Sequence, residues 1–228
     1  MSIFIDNIFK DNGFERIILD IDGEKIDYWV NYDLENINFY LVVYLEKIPE
    51  DFLDLNIPNY FGEIKSLSEG YVEQMDKNLS LLVLIDESKN KLLNNDIFKI
   101  EEDPYYFKKY VLSYNVNTII KIEKQFEKFN GTSIEFINSI VNNTDKFTSF
   151  KTNDDTHQED NDIYDLCSKF MIKIPFISLF NRTENLNDLS RDIDEALNNL
   201  KLLELKEELL DMEQPDSFNF SHYIQTKK

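Results

Sequence analysis

In Leu19-Asp20-Ile21-Asp22-Gly23 two carboxylates stand two places apart after an apolar run. One could attack phosphorus while its neighbour protonates the leaving group. That chemistry also wants a small hydroxyl residue after the glycine, a downstream lysine, a Mg²⁺-binding acid pair and a parallel sheet. Here Glu24 follows Gly23, and the runs on either side alternate like the two strands of a hairpin turning at Asp22-Gly23. Asp54 with Glu63-Ile64-Lys65 offers a second pattern, in which paired carboxylates hold Mg²⁺ for phosphodiester hydrolysis if Glu63 and Lys65 lie on a strand. Residues 61–67 are only weakly strand-like, so three surface side chains are the simpler reading. The acidic run at residues 154–162 could bind a hard cation. It lacks the glycine and the terminal bidentate glutamate of a calcium loop and reads as a solvated linker.

Nucleophilic catalysis has little raw material. The two histidines, His157 and His222, fall in that acidic run and near the C-terminus. The lone Cys167, between Leu166 and Ser168, reads as a small buried hydrophobe and excludes a disulfide framework or a Cys-based zinc site. No catalytic, cofactor-binding or metal-ligating residue is therefore expected, and no enzyme.

The elements that would position these residues follow from periodicity and punctuation. Ser2 is an N-cap for a helix carrying Ile5, Ile8 and Phe9 on one face, with Gly13 as its stop. Strands are expected at residues 16–21, 25–30 and 38–45, the last buried on both faces, followed by an irregular stretch at 50–68. A helix at 71–77, a central strand at 79–85 and a short edge strand at 97–100 complete a mainly antiparallel sheet of about five strands with helices on one face. Asp103 as N-cap and Pro104 in the first turn then predict an aromatic-rich helix. From residue 116 onward the pattern is helical: Ile119, Ile122, Phe126 and Phe129, a break at Asn130-Gly131, then residues 134–141, 163–172 and 186–210. The fold class is α+β. Its expected organisation is an α+β domain at 1–115, a helical extension at 116–142, an acidic linker at 143–162, a helical region at 163–212 and a tail at 213–228.

Two segments are candidates for a partner interface as well as for the core. In Tyr105-Tyr106-Phe107, with Tyr110 beyond, consecutive aromatics exceed what one face can bury, and exposed aromatics favour interfaces. In the last helix Leu186, Ile193 and Leu200 recur every seven residues, with Leu189 and Leu203 in the companion register, the pattern either of a core helix of this domain, unbroken or broken near Asn198-Asn199, or of a surface for a partner helix.

Composition bounds the classes of function. Hydrophobic residues are 42% and aromatics 14%, enough for a packed core, and no apolar run approaches a membrane span. The net charge of −20, spread over both halves, argues against a nucleic-acid backbone as main partner. The start at Met1 lacks a cationic and then apolar leader, so a cytoplasmic protein is expected.

The segment Ile100-Glu101-Glu102-Asp103-Pro104-Tyr105-Tyr106-Phe107-Lys108-Lys109-Tyr110-Val111-Leu112 resembles the middle components of bacterial three-component ABC-ATPase defence systems, the Lamassu-like group. Met75-Asp76-Lys77-Asn78-Leu79-Ser80-Leu81-Leu82-Val83-Leu84-Ile85 and Ile8-Phe9-Lys10-Asp11-Asn12-Gly13-Phe14 support the likeness, which spans residues 1–115. It carries no catalytic signature. It implies a non-enzymatic subunit linking an SMC-like ATPase to an effector, often a nuclease, in anti-phage or anti-plasmid immunity. A stand-alone acidic inhibitor, either an immunity protein or a DNA mimic, is the competing reading of the same charge.

Overall fold

In the computed structural model, strands β1 (Glu15–Ile21), β2 (Glu24–Asn31) and β3 (Asn38–Leu45) form an antiparallel meander. The structure describes residues 2–179 except 22–23, 33–37, 68–74, 89–92 and 153–156, together with 193–194, 197–199, 202 and 206. The register Ile21↔Glu24 leaves two residues to connect β1 and β2, as the hairpin reading of Asp22-Gly23 requires; those two lie outside the described residues. Helix α1 (Ile3–Lys10) precedes the sheet, with Ser2 Oγ accepting the Ile5 N–H at 3.4 Å. Its stop is Gly13 at φ +76°, a left-handed angle that glycine adopts without steric cost.

Beyond β3 the connections lengthen and the pairing changes. A wide π-turn (Phe52–Asn56) runs into α2 (Ile57–Ser66), and the short α3 (Met75–Asn78) leads to β4 (Leu79–Asp86). Helix α4 (Asn94–Glu101) then leads to β5 (Lys108–Tyr114). Strands β4 and β5 pair in parallel, completing the order β1-β2-β3-β4-β5. A parallel return needs a crossover, and the helical stretches supply it. Crossover helices cover the second face, so helices pack on both sides of the sheet and not on one as expected.

The two faces hold two apolar cores. Trp29, Tyr40, Leu82 and Leu112 face α1, α5 (Val116–Phe126), α6 (Ser133–Val141) and α8 (Gln158–Lys173). Tyr28, Leu41, Leu81 and Val111 face the π-turn, α2 and α4 through Phe52, Ile64 and Ile100. The first core is strongly aromatic. Phe9 stacks on Trp29 at 5.0 Å and meets Phe14, Tyr40 and Phe176 edge-on at 5.4–5.6 Å, each such pair adding about 1 kcal/mol beyond its area.

Residues 97–100 and 103–114 reverse their predicted states. Residues 97–100 lie in α4, and the aromatic-rich helix expected from Asp103-Pro104 is a loop followed by β5. Pro104 forces its predecessor out of the helical region, and in β5 Lys109, Val111 and Ser113 are buried while Lys108 is exposed.

One compact unit extends to Phe180 and takes in residues 116–180 together with the sheet. The expected linker at 143–162 contains α7 (Thr144–Thr152) and the start of α8. Its polar composition reflects solvent exposure on a helix, since α7 has no buried residue. Residues 181–228 form a second unit, in which Lys206 pairs with Asp194.

Candidate functional site

The loop between α4 and β5 is the most elaborately built feature of the surface. Asp103 Oδ1 accepts the Tyr105 N–H at 3.3 Å, and the Phe107 N–H donates to Tyr105 O at 2.8 Å. That second bond closes a three-residue γ-turn around Tyr106, whose φ of +68° is the left-handed value a bulky side chain rarely adopts. Backbone of this kind stores about 1–3 kcal/mol and persists only when its surroundings hold it.

Lys109 holds it. Its side chain is sealed from solvent, and its ammonium donates to the carbonyls of Asp103 (3.0 Å), Tyr105 (2.5 Å) and Phe107 (3.2 Å) while pairing with Asp103 Oδ1 at 2.6 Å. The lysine occupies the middle of the loop as a bound cation would. The result is directional: Phe107 is buried in the second core, whereas Tyr105 and Tyr106 stand 66% and 46% exposed. Tyr106 leans on Phe61 of α2, ring centroids 5.2 Å apart, and the Lys65 ammonium lies over the Phe61 ring at 4.9 Å. Tyr110 packs, partly buried, against the first core. Of the predicted aromatic surface, then, Tyr105 and Tyr106 are available and Phe107 and Tyr110 are structural. Ile193 is exposed in the second unit; Leu186, Leu189, Leu200 and Leu203 lie outside the described residues.

A second cluster went unforeseen in the sequence. Arg16 of β1 donates through Nε (2.9 Å) and Nη2 (2.6 Å) to Asp27 Oδ1 of β2, and through Nη1 (3.2 Å) to Asp6 Oδ2 of α1. Asp6 and Asp27 are buried, and one oxygen of each, Asp6 Oδ1 and Asp27 Oδ2, accepts no hydrogen bond. Burial raises the Asp6 pKa above the usual carboxylate range; Arg16 opposes the rise and Asp27 adds to it. The Tyr44 phenol is likewise pushed up, by burial first and by Asp27 and Asp6 second. The only signal in the sequence was Asp27 at an inward position of a strand otherwise rich in apolar residues. Val42 stands opposite Asp27 on β3, so the neighbouring strand adds no carboxylate there.

The predicted chemical patterns are dispersed. Asp20 lies exposed on β1, and Asp22 lies outside the described residues. Asp54 is in the π-turn, while Glu63 and Lys65 project into solvent from α2, a helix on which residues two apart point in different directions. His157 is exposed before α8, and Cys167 is fully buried, its thiol pushed up to about 12 by that burial. Among the described residues no three His, Cys, Asp or Glu side chains gather to hold a metal ion, and no helix is long and apolar enough to cross a membrane.

Fold and site together define an α+β protein on a mixed five-stranded sheet, with a rigid aromatic loop at the β5 end. The family model of the ABC-three component (ABC-3C) system Middle Component 1 matches residues 39–143, from β3 through α6. The match covers less than half of the chain, which over that stretch is similar to the middle components of ABC-three component systems. The matched stretch contains the segments at 75–85 and 100–112 that carried the resemblance, and not the one at 8–14. No curated protein and no solved structure matches the chain.

Proposed function

We propose that this chain is a non-enzymatic accessory subunit that joins an SMC-like ABC ATPase to an effector, a nuclease, in Lamassu-like defence against phage or plasmids in the cytoplasm. Similarity over residues 39–143 to the middle components of a multi-component ABC system makes protein partners the expected ligands. The observation that carries the reading is the loop at Tyr105-Tyr106, which lies inside the matched region. A strained turn, locked by a buried lysine, presents two exposed tyrosines on a backbone that is already held. Ordering a surface before binding lowers the entropy lost on association, and tyrosines placed this way are the usual anchors of an interface.

Co-expression of the tagged chain with the ATPase and effector encoded beside it tests the assignment. The wild-type chain retains the ATPase, and the Tyr105→Ala/Tyr106→Ala variant weakens that association about thirtyfold or more with an unchanged circular dichroism spectrum. Undiminished retention by the variant moves the interface elsewhere. A wild-type chain that ignores the ATPase but binds a basic toxin tightly makes it an acidic inhibitor instead.

A further inference from the structure

The surface around the Tyr105–Tyr106 turn departs from the rest of the molecule in its charge. Over the whole chain 44 acidic side chains face 24 lysines and arginines. The turn follows three consecutive acids, Glu101, Glu102 and Asp103, yet two of them are cancelled at contact distance. Lys109 pairs with Asp103 at 2.6 Å, and Lys173 of α8 grips Glu101 at 2.6 and 2.7 Å. The third, Glu102, is exposed, and so is Lys108, of opposite sign, on the other side of the tyrosines in sequence. On α2, which Tyr106 meets through Phe61, the exposed Glu63 and Lys65 balance in the same way. The two tyrosines therefore stand on a neutral patch of a molecule whose net charge is −20.

We infer that this turn docks into an uncharged, apolar pocket of its protein partner, one that offers hydrogen-bond acceptors to the two phenols. The inference rests on the accessory role proposed for the chain and specifies the partner's side of that contact. A cationic pocket is disfavoured. An arginine or lysine closed against the rings would lose its water and find no free carboxylate besides Glu102, which Lys108 offsets. The attraction of a cation for a ring face is smaller than that desolvation cost. An anionic pocket is repelled by the field of the whole chain. What remains is apolar surface, and the rings supply it. Tyr105 and Tyr106 have centroids 6.5 Å apart, and Tyr106 continues to Phe61 at 5.2 Å. Neither phenol hydroxyl is hydrogen-bonded among the described residues; Tyr105 bonds through its backbone alone. A phenol taken out of water needs a partner, so a pocket that buries both must supply acceptors.

Titration of the purified chain against the purified ATPase encoded beside it, at low and at high NaCl, tests the inference. The dissociation constant rises by no more than about threefold between about 50 and 500 mM salt. Glu102→Lys and Lys108→Glu, which reverse the two exposed charges flanking the turn, each change it less than about threefold. Tyr105→Phe/Tyr106→Phe removes only the two hydroxyls and raises it about fivefold or more, with an unchanged circular dichroism spectrum. Binding that weakens steeply with salt, or that either charge reversal abolishes, marks a charged partner surface and overturns the inference. So does a phenylalanine pair that binds like wild type, because the phenols then stay in water. In both cases the accessory role survives, since the ATPase is still bound. A chain that retains no ATPase at any salt overturns the role and the pocket together.

Discussion

A lysine sealed from water is stable only while its protons meet acceptors, and at Lys109 four oxygens of the 103–107 loop do so. Lys109→Met keeps the length of the side chain and strands the Asp103 carboxylate and the loop carbonyls. The expected loss is about 3 kcal/mol in urea unfolding, against less than about 0.5 kcal/mol for the exposed neighbour Lys108→Met. Equal effects would remove the lysine from its structural role. Asp6 carries the opposite sign. Its native pKa is raised from 3.8 because burial outweighs the attraction of Arg16, so the folded state prefers the protonated carboxyl. A carboxylate of this kind lets stability fall as pH rises from 3.8 through the raised value, the reverse of an ion-paired one. Asp6→Asn removes that titration. The stability of the variant relative to wild type should therefore grow with pH across that window and level off above it, in urea unfolding at matched pH. If wild type instead gains on the variant over the same range, the bond to Arg16 outweighs desolvation.

Among the elements, β5 depends on a clamp that closes around the sheet edge. Glu101 ends α4 on the second core, Lys173 ends α8 on the first, and Val111 lies between them, so one carboxylate ties together helices from opposite faces. Glu101→Ala frees the Val111 N–H and the ammonium together. It should cost about 2 kcal/mol and speed hydrogen exchange at Val111, while the exposed Glu102→Ala changes neither. An unaltered Val111 exchange rate would show that the edge is covered by other means. The β1–β2 hairpin and the cap of α1 were legible in the sequence because each is decided within a few residues: Asp22-Gly23 and Ser2. The exchange of strand and helix around Asp103 was not. Asp103-Pro104 is a sound local helix start, and what overrides it is the pairing of residues 108–114 with β4, which no local pattern reports. The same holds for the site. Three aromatics in a row already signalled exposed tyrosines, but the contacts of Lys109 and of Arg16 with Asp6 and Asp27 exist only once the strands are placed.

For the molecule as a whole, a net charge of −20 sets two long-range expectations. Repulsion among solvated carboxylates opposes the compact state, and added salt screens it, whereas the sealed Lys109–Asp103 pair is little affected. The midpoint of thermal unfolding should therefore rise between low and physiological NaCl. The same charge should keep duplex DNA away from the isolated subunit. Backbone binding draws its free energy from counterions released by clustered lysines and arginines, and this chain has 24 cations against 44 anions, without a basic block in either half. If the chain sits between an ATPase and a nuclease, such a surface holds the nuclease off DNA until the assembly rearranges. Mobility-shift titration of the purified chain at low salt, where electrostatic binding is strongest, should retain no duplex DNA. Tight binding there, weakening steeply as salt is added, would reveal a cation cluster strong enough to outweigh the global charge and would end the shielding role.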